Sequence, residues 1–450
     1  MDSSPTGADR PSPRPRSTYQ ATARALGDRL LALVRPIRIL HAIRWEQSIE
    51  DGFLARGGRE LPAIFAESYR PLPFDPRAKR RHLIDLERTV RNDLGRGDPI
   101  GQLIARRCRQ ARAAVDLLML RGTPAFSRLS GELYGQPTAA DDAAVDALFA
   151  TLTATASPAT EFSLSADVAA GILAARLGRS FAGAGRFRIR LSDAVQADAA
   201  ACGRSIKLRR GATFAPVDIA ALEVHEGWVH LGTTLNARRQ PICGFLAVGL
   251  PATTAAQEGL AVLTELLAGV CHPARLQRLQ RRYRAVQMAE NGADFRDIYR
   301  LFLAADGEPR DAFQQAARIF RGSLPTGAGP FAKDRTYALG LVRLLRAAHA
   351  ASRGNRIDRL QLLFAGKTAL ADLPLLDALA AAGLVAKPPF LPPPFANPAQ
   401  LAARLHRLPH PPHRLPPPVE PEKSLRLPGN RAAGPLSFQD GVGYEWRETG

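Results

Sequence analysis

Over most of its 450 residues this chain repeats apolar side chains three or four positions apart, the period of an amphipathic helix. Strict alternation is confined to two short runs. The segment RALGDRLLALVRPIRILHAI opens a helical stretch from about 19 to 110, in which 76-PRAKRRHLIDLERTVRNDL-94 is a basic amphipathic helix with a solvated face. Another helix, 103-LIARRCRQARAAVDLLMLRG-122, ends at Gly122. The stretch RGTPAFSRLSGELYGQPT reads as a loop, and helices follow at 140–154 and 165–178. In 186-RFRIRLSD-193, Phe187, Ile189 and Leu191 share one face with arginines opposite, the signature of a half-buried strand. A second strand is expected at 204–212.

Pro216 then suits the first turn of a helix. The stretch 251–270 predicts a further helix, with Thr254 as N-cap and Gln257 completing a capping box. More helices are expected at 272–304, 310–320 and 335–352, the last preceded by a glycine-rich loop, 321-RGSLPTGAGPFAKD-334. Two short helices fill 356–384. From Lys387 onward PPFLPPPF and HPPHRLPPPVEPEK predict an extended, mobile tail. Residues 1–17, polar and rich in Pro, Ser and Arg, predict a disordered basic arm.

Composition changes this picture in one respect. A hydrophobic share of 46% is ordinary for a globular protein, but 61 Lys+Arg against 42 Asp+Glu gives a net charge of +19. Such a surplus favours acidic partners, nucleic acid among them, although an arginine-rich coding bias accounts for it equally well. The four cysteines are scattered with no C-x-x-C pair, a pattern that does not resemble a disulfide framework or a thiolate zinc site. No run of 18 apolar residues and no secretory leader is visible, so no membrane span and a cytoplasmic location are expected.

The chemistry concentrates in 221-ALEVHEGWVHLGTTLN-236. Two of only nine histidines, His225 and His230, bracket Glu226. A zinc hydrolase needs two neutral imidazoles converging on the ion and a carboxylate beside the water position. In H-E-x-x-H the histidines sit about 40° apart around a regular helix; at the spacing found here they sit about 140° apart and diverge. A local i→i+5 turn restores convergence, and Gly227 lowers its cost. The third ligand is expected from Gln257-Glu258-Gly259-Leu260-Ala261, where Glu258 lies on a helix 28 residues after His230. Glu265 and Glu223 are weaker candidates.

The combination of LEVHEGWVHLGTTLNARRQP, GLPATTAAQEGLAVLTE and FRGSLPTGAGPFAKDRTYALG resembles domain-of-unknown-function family 1704, whose bacterial members are known as flavohaemoglobin expression-modulating QEGLA motif proteins. The same family includes the microtubule-associated tyrosine carboxypeptidases. The resemblance covers about 25–385. It implies a zinc enzyme in which His225, His230 and Glu258 bind Zn2+ and Glu226 is the general base, acting at a peptide or protein C-terminus. It does not carry tubulin over as the substrate.

A carboxypeptidase must also hold the terminal carboxylate and the tetrahedral oxyanion. Tyr337 is the candidate oxyanion donor, and Arg321 or Lys333 the carboxylate clamp; all three equally suit anchoring of the glycine-rich loop. Arg209 and Arg210, on the strand ahead of the metal helix, are alternative clamps where an extended peptide can add to a sheet edge. Asn236 and Gln240 read as loop braces, Trp228 as core or pocket wall. Cys271-His272 is a poor nucleophile pair, since neighbours point apart.

The expected fold is α+β, a mainly helical zincin-like metallopeptidase with a small sheet beside the metal helix. Its division is the arm 1–17, an N-terminal helical region 18–160, a catalytic region 161–385 and the tail 386–450. Two other readings stay open: a regulatory or nucleic-acid-binding protein with a structural metal, and an amidohydrolase acting on small acyl-amino acids.

Overall fold

The computed structural model describes residues 16–155, 163–193, 195 and 197–411. The chain is α+β and mainly helical, with two small sheets. Strands β1 (Leu164–Ser165) and β5 (Thr213–Phe214) pair antiparallel. Strands β2 (Arg188–Ser192), β3 (Ala199–Cys202) and β4 (Ser205–Arg209) form a second sheet in the order β2-β4-β3, β2 parallel and β3 antiparallel to β4. Ile206 and Leu208 on β4 are fully buried against the helix Ala166–Ser180 through Leu173 and Leu177, which fixes the sheet's register by its apolar face.

The two expected strands are therefore present, but the second is the centre of its sheet. Its edge is not free to accept a peptide, because β2 and β3 occupy both sides; the free edge beside the metal helix belongs to β3.

Helices 16–34, 76–94 and 99–119 pack together around Leu26, Leu86, Leu103 and Ile104. The helix Pro76–Leu94 buries Leu83, Leu86 and Val90 and exposes its basic face, as its periodicity predicts. A second layer joins the helices Pro251–Leu267, Pro273–Glu290 and Thr336–Arg353 with Ala139–Thr155. Here Pro251–Leu267 and Thr336–Arg353 touch backbone to backbone. A Cβ added to Gly259 would stand 2.3 Å from the carbonyl carbon of Gly340, and one on Gly340 would stand 2.1 Å from the Ala255 carbonyl oxygen. Only hydrogen at both positions permits this approach, and it brings the start of one helix beside the middle of the other.

Three expectations need correction. The stretch read as a loop after Gly122 contains the helix Pro124–Tyr134, begun by proline at its first turn and burying Phe126, Ser130 and Tyr134 at helical spacing. The helix Pro251–Leu267 is not capped by Thr254: Pro251 takes the first turn, and the Thr253 hydroxyl accepts from the Leu250 N–H at 3.2 Å. The proline-rich stretch after Lys387 is not extended throughout, since Pro393–Ala396 and Pro398–Leu405 are helices whose Phe395, Leu401 and Leu405 are fully buried. The arm 1–15 and the tail from 412 lie outside the described residues. Among the described residues no helix is long and apolar enough to cross a membrane.

Candidate metal centre

One continuous helix carries HEGWVH, but its winding changes along its length. Pro216–Leu222 is α, Glu223–Leu231 closes i→i+5 hydrogen bonds, and Gly232–Ala237 returns to α. In the wide segment residues five apart are nearly one turn apart, as residues four apart are in an α-helix. The rings of His225 and His230 consequently meet, with centroids 4.8 Å apart and planes at 85°. The distortion is set by packing: Gly227 lies against Leu177, whose Cδ2 is 2.5 Å from where a Cβ would be, while Val229 and Leu231 are fully buried on either side.

Glu258 reaches the same point from the helix Pro251–Leu267. Its Oε2 stands 3.4 Å from His225 Nε2 and 3.2 Å from His230 Nε2. A tetrahedral ion held about 2.0–2.1 Å from each donor needs donor–donor edges of about 3.3 Å. His225, His230 and Glu258 thus form a donor group able to hold a metal ion, their ligand atoms all within 4.8 Å of one another. Two imidazoles and one carboxylate also suit a borderline cation that leaves a fourth position open.

Each donor is held from behind. His225 Nδ1 donates to Glu265 Oε1 at 2.6 Å, so that once the ring sheds its second proton it is Nε2 that carries the lone pair. Glu265 is completely buried, and Arg275 binds both of its oxygens. Burial favours its neutral form, but Arg275 and His225 hold Glu265 down at about 2. Glu258 Oε1 accepts from Lys333 Nζ at 2.8 Å, so Oε2 alone faces the histidines. Burial opposes its charge too, and Lys333 with His230 keeps it well below the usual carboxylate range. In the absence of an ion, burial works against a charged His225 but the bonds to Glu258 and Glu265 prevail and push it up to about 10; burial lowers His230.

Glu226 is buried beside the donors, and its Oε2 accepts from the Ala201 N–H of β3 at 2.6 Å. The Arg209 N–H to Asp198 oxygen bond sets the phase of the β3–β4 ladder, so Ala199 and Ala201 turn their backbone groups outward. The free edge of the sheet therefore runs past the carboxylate of Glu226.

The other candidate residues divide. Lys333 and Tyr337 join the cluster: Lys333 Nζ donates to the Tyr337 hydroxyl at 3.3 Å, and the Tyr337 ring stacks on His225 at 6.3 Å and 16°. Arg321 is buried over the Phe331 ring at 5.7 Å, and burial lowers it to about 10. Arg210 is exposed and donates to Asp193 at 3.2 Å; Arg209 pairs with Asp198 at 2.7 Å. Neither arginine joins the cluster. Asn236 braces the loops as expected, donating to the carbonyls of Phe364 and Phe390 and accepting from the Phe390 N–H, while Gln240 bonds Ala386 in both directions. Trp228 meets Phe181 edge-on at 5.0 Å. His272 turns to Asp218 at 3.1 Å and forms no dyad with Cys271.

Lys367 escaped sequence reasoning. Its Nζ donates to the His230 carbonyl at 2.7 Å, and burial lowers it to about 8 beside Glu258 and Glu226. Gln257 supports the same corner, accepting from Thr233 Oγ1 at 3.2 Å. No local pattern marks a lysine 137 residues from its partner.

Comparison with known families gives one match. Residues 51–410 fit the family described as microtubule-associated tyrosine carboxypeptidase. No curated protein matches the chain.

Proposed function

Because the chain belongs to the microtubule-associated tyrosine carboxypeptidase family, we propose that it is a zinc-dependent carboxypeptidase that removes the last residue of a peptide or protein, on a zincin-like arrangement of metal helix and edge strand. The observation that carries this reading is the convergence of three donors from two distant helices with Glu226 alongside. Zinc bound there would polarise the scissile carbonyl and bring the acidity of a water molecule near neutral pH.

The chain's own groups do the rest. Ala201 holds Oε2 of Glu226, so the other oxygen receives the proton of the attacking water and later delivers it to the leaving amine. An extended substrate lies along the outward groups of Ala199 and the outward carbonyl of Ala201, the N–H of Ala201 being given to Glu226. Tyr337, steadied by Lys333, donates its hydroxyl to the developing oxyanion. Lys333 keeps Glu258 single-handed toward the ion, and Glu265 with Arg275 fixes the tautomer of His225. The tyrosine and the microtubule of the family's description belong to its namesakes; for this chain the proposed substrate is a C-terminal peptide segment. Arg275, Arg318 and Arg106 are engaged with Glu265, Asp334 and Asp372, so these three lend no support to the rival reading of a basic regulator.

The test pairs metal analysis with digestion of a peptide library read by mass spectrometry. One zinc per chain and loss of single C-terminal residues are expected, with Glu226→Gln retaining the zinc and losing the cleavage. Zinc bound without any peptide cleavage would overturn the reading.

A further inference from the structure

One peptide group of the metal helix is gripped from outside the helix. The carbonyl of His230 lies where the winding returns from i→i+5 to i→i+4. Side chains gather on it: Lys367 Nζ donates at 2.7 Å, Thr234 Oγ1 at 3.0 Å, and Thr233 Oγ1, shared with the Val229 carbonyl, at 3.3 Å. Threonine hydroxyls bonded back to the preceding turn are ordinary in helices and bend them slightly. The lysine is not ordinary. The shortest of these contacts comes from a half-buried ammonium 137 residues further along the chain. Drawing a charge out of bulk water toward a neutral carbonyl costs solvation, which the charge-assisted bond, worth about 1.5–3 kcal/mol, offsets.

The segment that carries this lysine is itself fixed. The Lys367 N–H donates to the Leu246 carbonyl at 2.7 Å, and the Lys367 carbonyl accepts from Arg107 Nη2 at 2.6 Å. Arg107 is buried and pairs with Asp372 at 3.7 Å. The neighbouring Gly366 carbonyl accepts from Gln257 Nε2 at 3.4 Å, and a Cβ on Gly366 would stand 2.5 Å from the Leu246 Cβ. The ammonium therefore starts from a rigid base and acts on the planar peptide unit that joins His230 to Leu231. That carbonyl and the imidazole hang from the same Cα, so turning the peptide plane turns the ring. We infer that Lys367 is a positioning residue: it pins the His230 peptide at the exit of the wide turn and so aims the His230 ring at the point where His225 and Glu258 meet. The inference rests on the zinc reading above, and names a support that lies outside both the HEGWVH and the QEGLA segments.

The test uses the full-length chain. Zinc affinity is read by competition with a chromophoric chelator, the fold by circular dichroism, and kcat and KM by release of the last residue of a peptide. Lys367→Met is expected to weaken zinc binding about 10-fold, as loss of a group that orients a metal ligand does. At saturating zinc it should lower kcat and leave KM nearly unchanged. Lys367→Arg should recover most of the affinity, because a guanidinium can donate to the same carbonyl. A folded Lys367→Met protein with the parent's zinc affinity, or an equal loss in the Met and Arg variants, overturns the inference. Should Lys367→Met not fold, Lys367→Gln takes its place, its amide ending one atom short of the ammonium, and parental affinity there overturns the inference instead. Weakened zinc binding in the variant, with no peptide cleaved by the unsubstituted chain, upholds the pin and refutes the peptidase reading; cleavage by the unsubstituted chain, with undiminished zinc affinity in the variant, does the reverse.

Discussion

Replacing Gly259 by alanine probes how the QEGLA helix delivers Glu258. In an open helix interior this change stabilises by about 1 kcal/mol, because glycine is the poorer helix former. At Gly259 the new methyl would stand 2.3 Å from the Gly340 carbonyl carbon, 2.4 Å from its oxygen and 2.8 Å from the Leu341 nitrogen. Carbon atoms in contact need about 3.5 Å or more, so the helices must part by about 1 Å. The obstacles are backbone atoms of a packed helix, not a side chain that can swing aside. Overpacking of this kind costs about 3 kcal/mol or more, which leaves a net loss of about 2 kcal/mol after the propensity gain. The same displacement withdraws Glu258 from His225 and His230. Misplacement by about 1 Å can cost about 100-fold in catalysis. Gly171 supplies the control: it lies exposed within the helix Ala166–Ser180 with nothing within 4 Å of an added Cβ, so Gly171→Ala should gain up to about 1 kcal/mol. Urea denaturation monitored by circular dichroism, with zinc competition by a chromophoric chelator, reads both effects. A Gly259→Ala protein as stable as the parent and equally avid for zinc would refute the close-packing account.

Other outcomes follow from the same geometry. Glu265→Gln should weaken zinc binding about 10- to 100-fold by releasing His225 Nδ1, and should also destabilise the fold because buried Arg275 loses its counter-charge; an unaltered affinity in chelator competition counts against the tautomer role. Glu226→Gln should lower turnover at least 100-fold with zinc content unchanged, measured by peptide hydrolysis and metal analysis. Zinc affinity should rise with pH, because His225 without an ion is protonated up to about 10 and must shed that proton to ligate. Calorimetry in buffers of different ionisation enthalpy should therefore detect proton release at pH 7, and none would contradict the arrangement. Lys333→Met should impair zinc binding and turnover together, since it removes the partner of Glu258 Oε1; loss of turnover alone would assign Lys333 to the substrate instead.

Much of the centre was legible because its constraints are local. Two histidines five apart can share an ion only if the helix widens between them, and the wide segment Glu223–Leu231 spans that interval. The strands 188–192 and 205–209 followed from alternation, although nothing in alternation tells a central strand from an edge, and the place of β3 emerged only from its pairing. What stayed hidden depends on packing between remote segments. Glu265 looked like an inferior ligand, yet the approach of Gly259 to Gly340 and the position of Arg275 turn it to the far nitrogen of His225. The contact of Lys333 with Glu258 and that of Lys367 with His230 span 75 and 137 residues respectively, and no spacing rule reaches so far. The helix Pro124–Tyr134 and the folded stretch 393–405 were obscured by proline and glycine, which serve there as helix starters and boundaries rather than breakers.

The widened winding of the metal helix also decides when the centre comes into being. Ile219, Leu231 and Leu235 of this helix pack with the sheet, Val229 with the QEGLA helix, and Ala237 with the N-terminal helices. Rewinding it to regular α would swing one half by about 100° and withdraw several of these anchors at once. Three separate cores therefore clamp the irregular pitch, and an arriving cation meets rings already aimed at it. Chelation then acts as a late tenant in a finished room, and stripping the ion should leave the helix wound as it was.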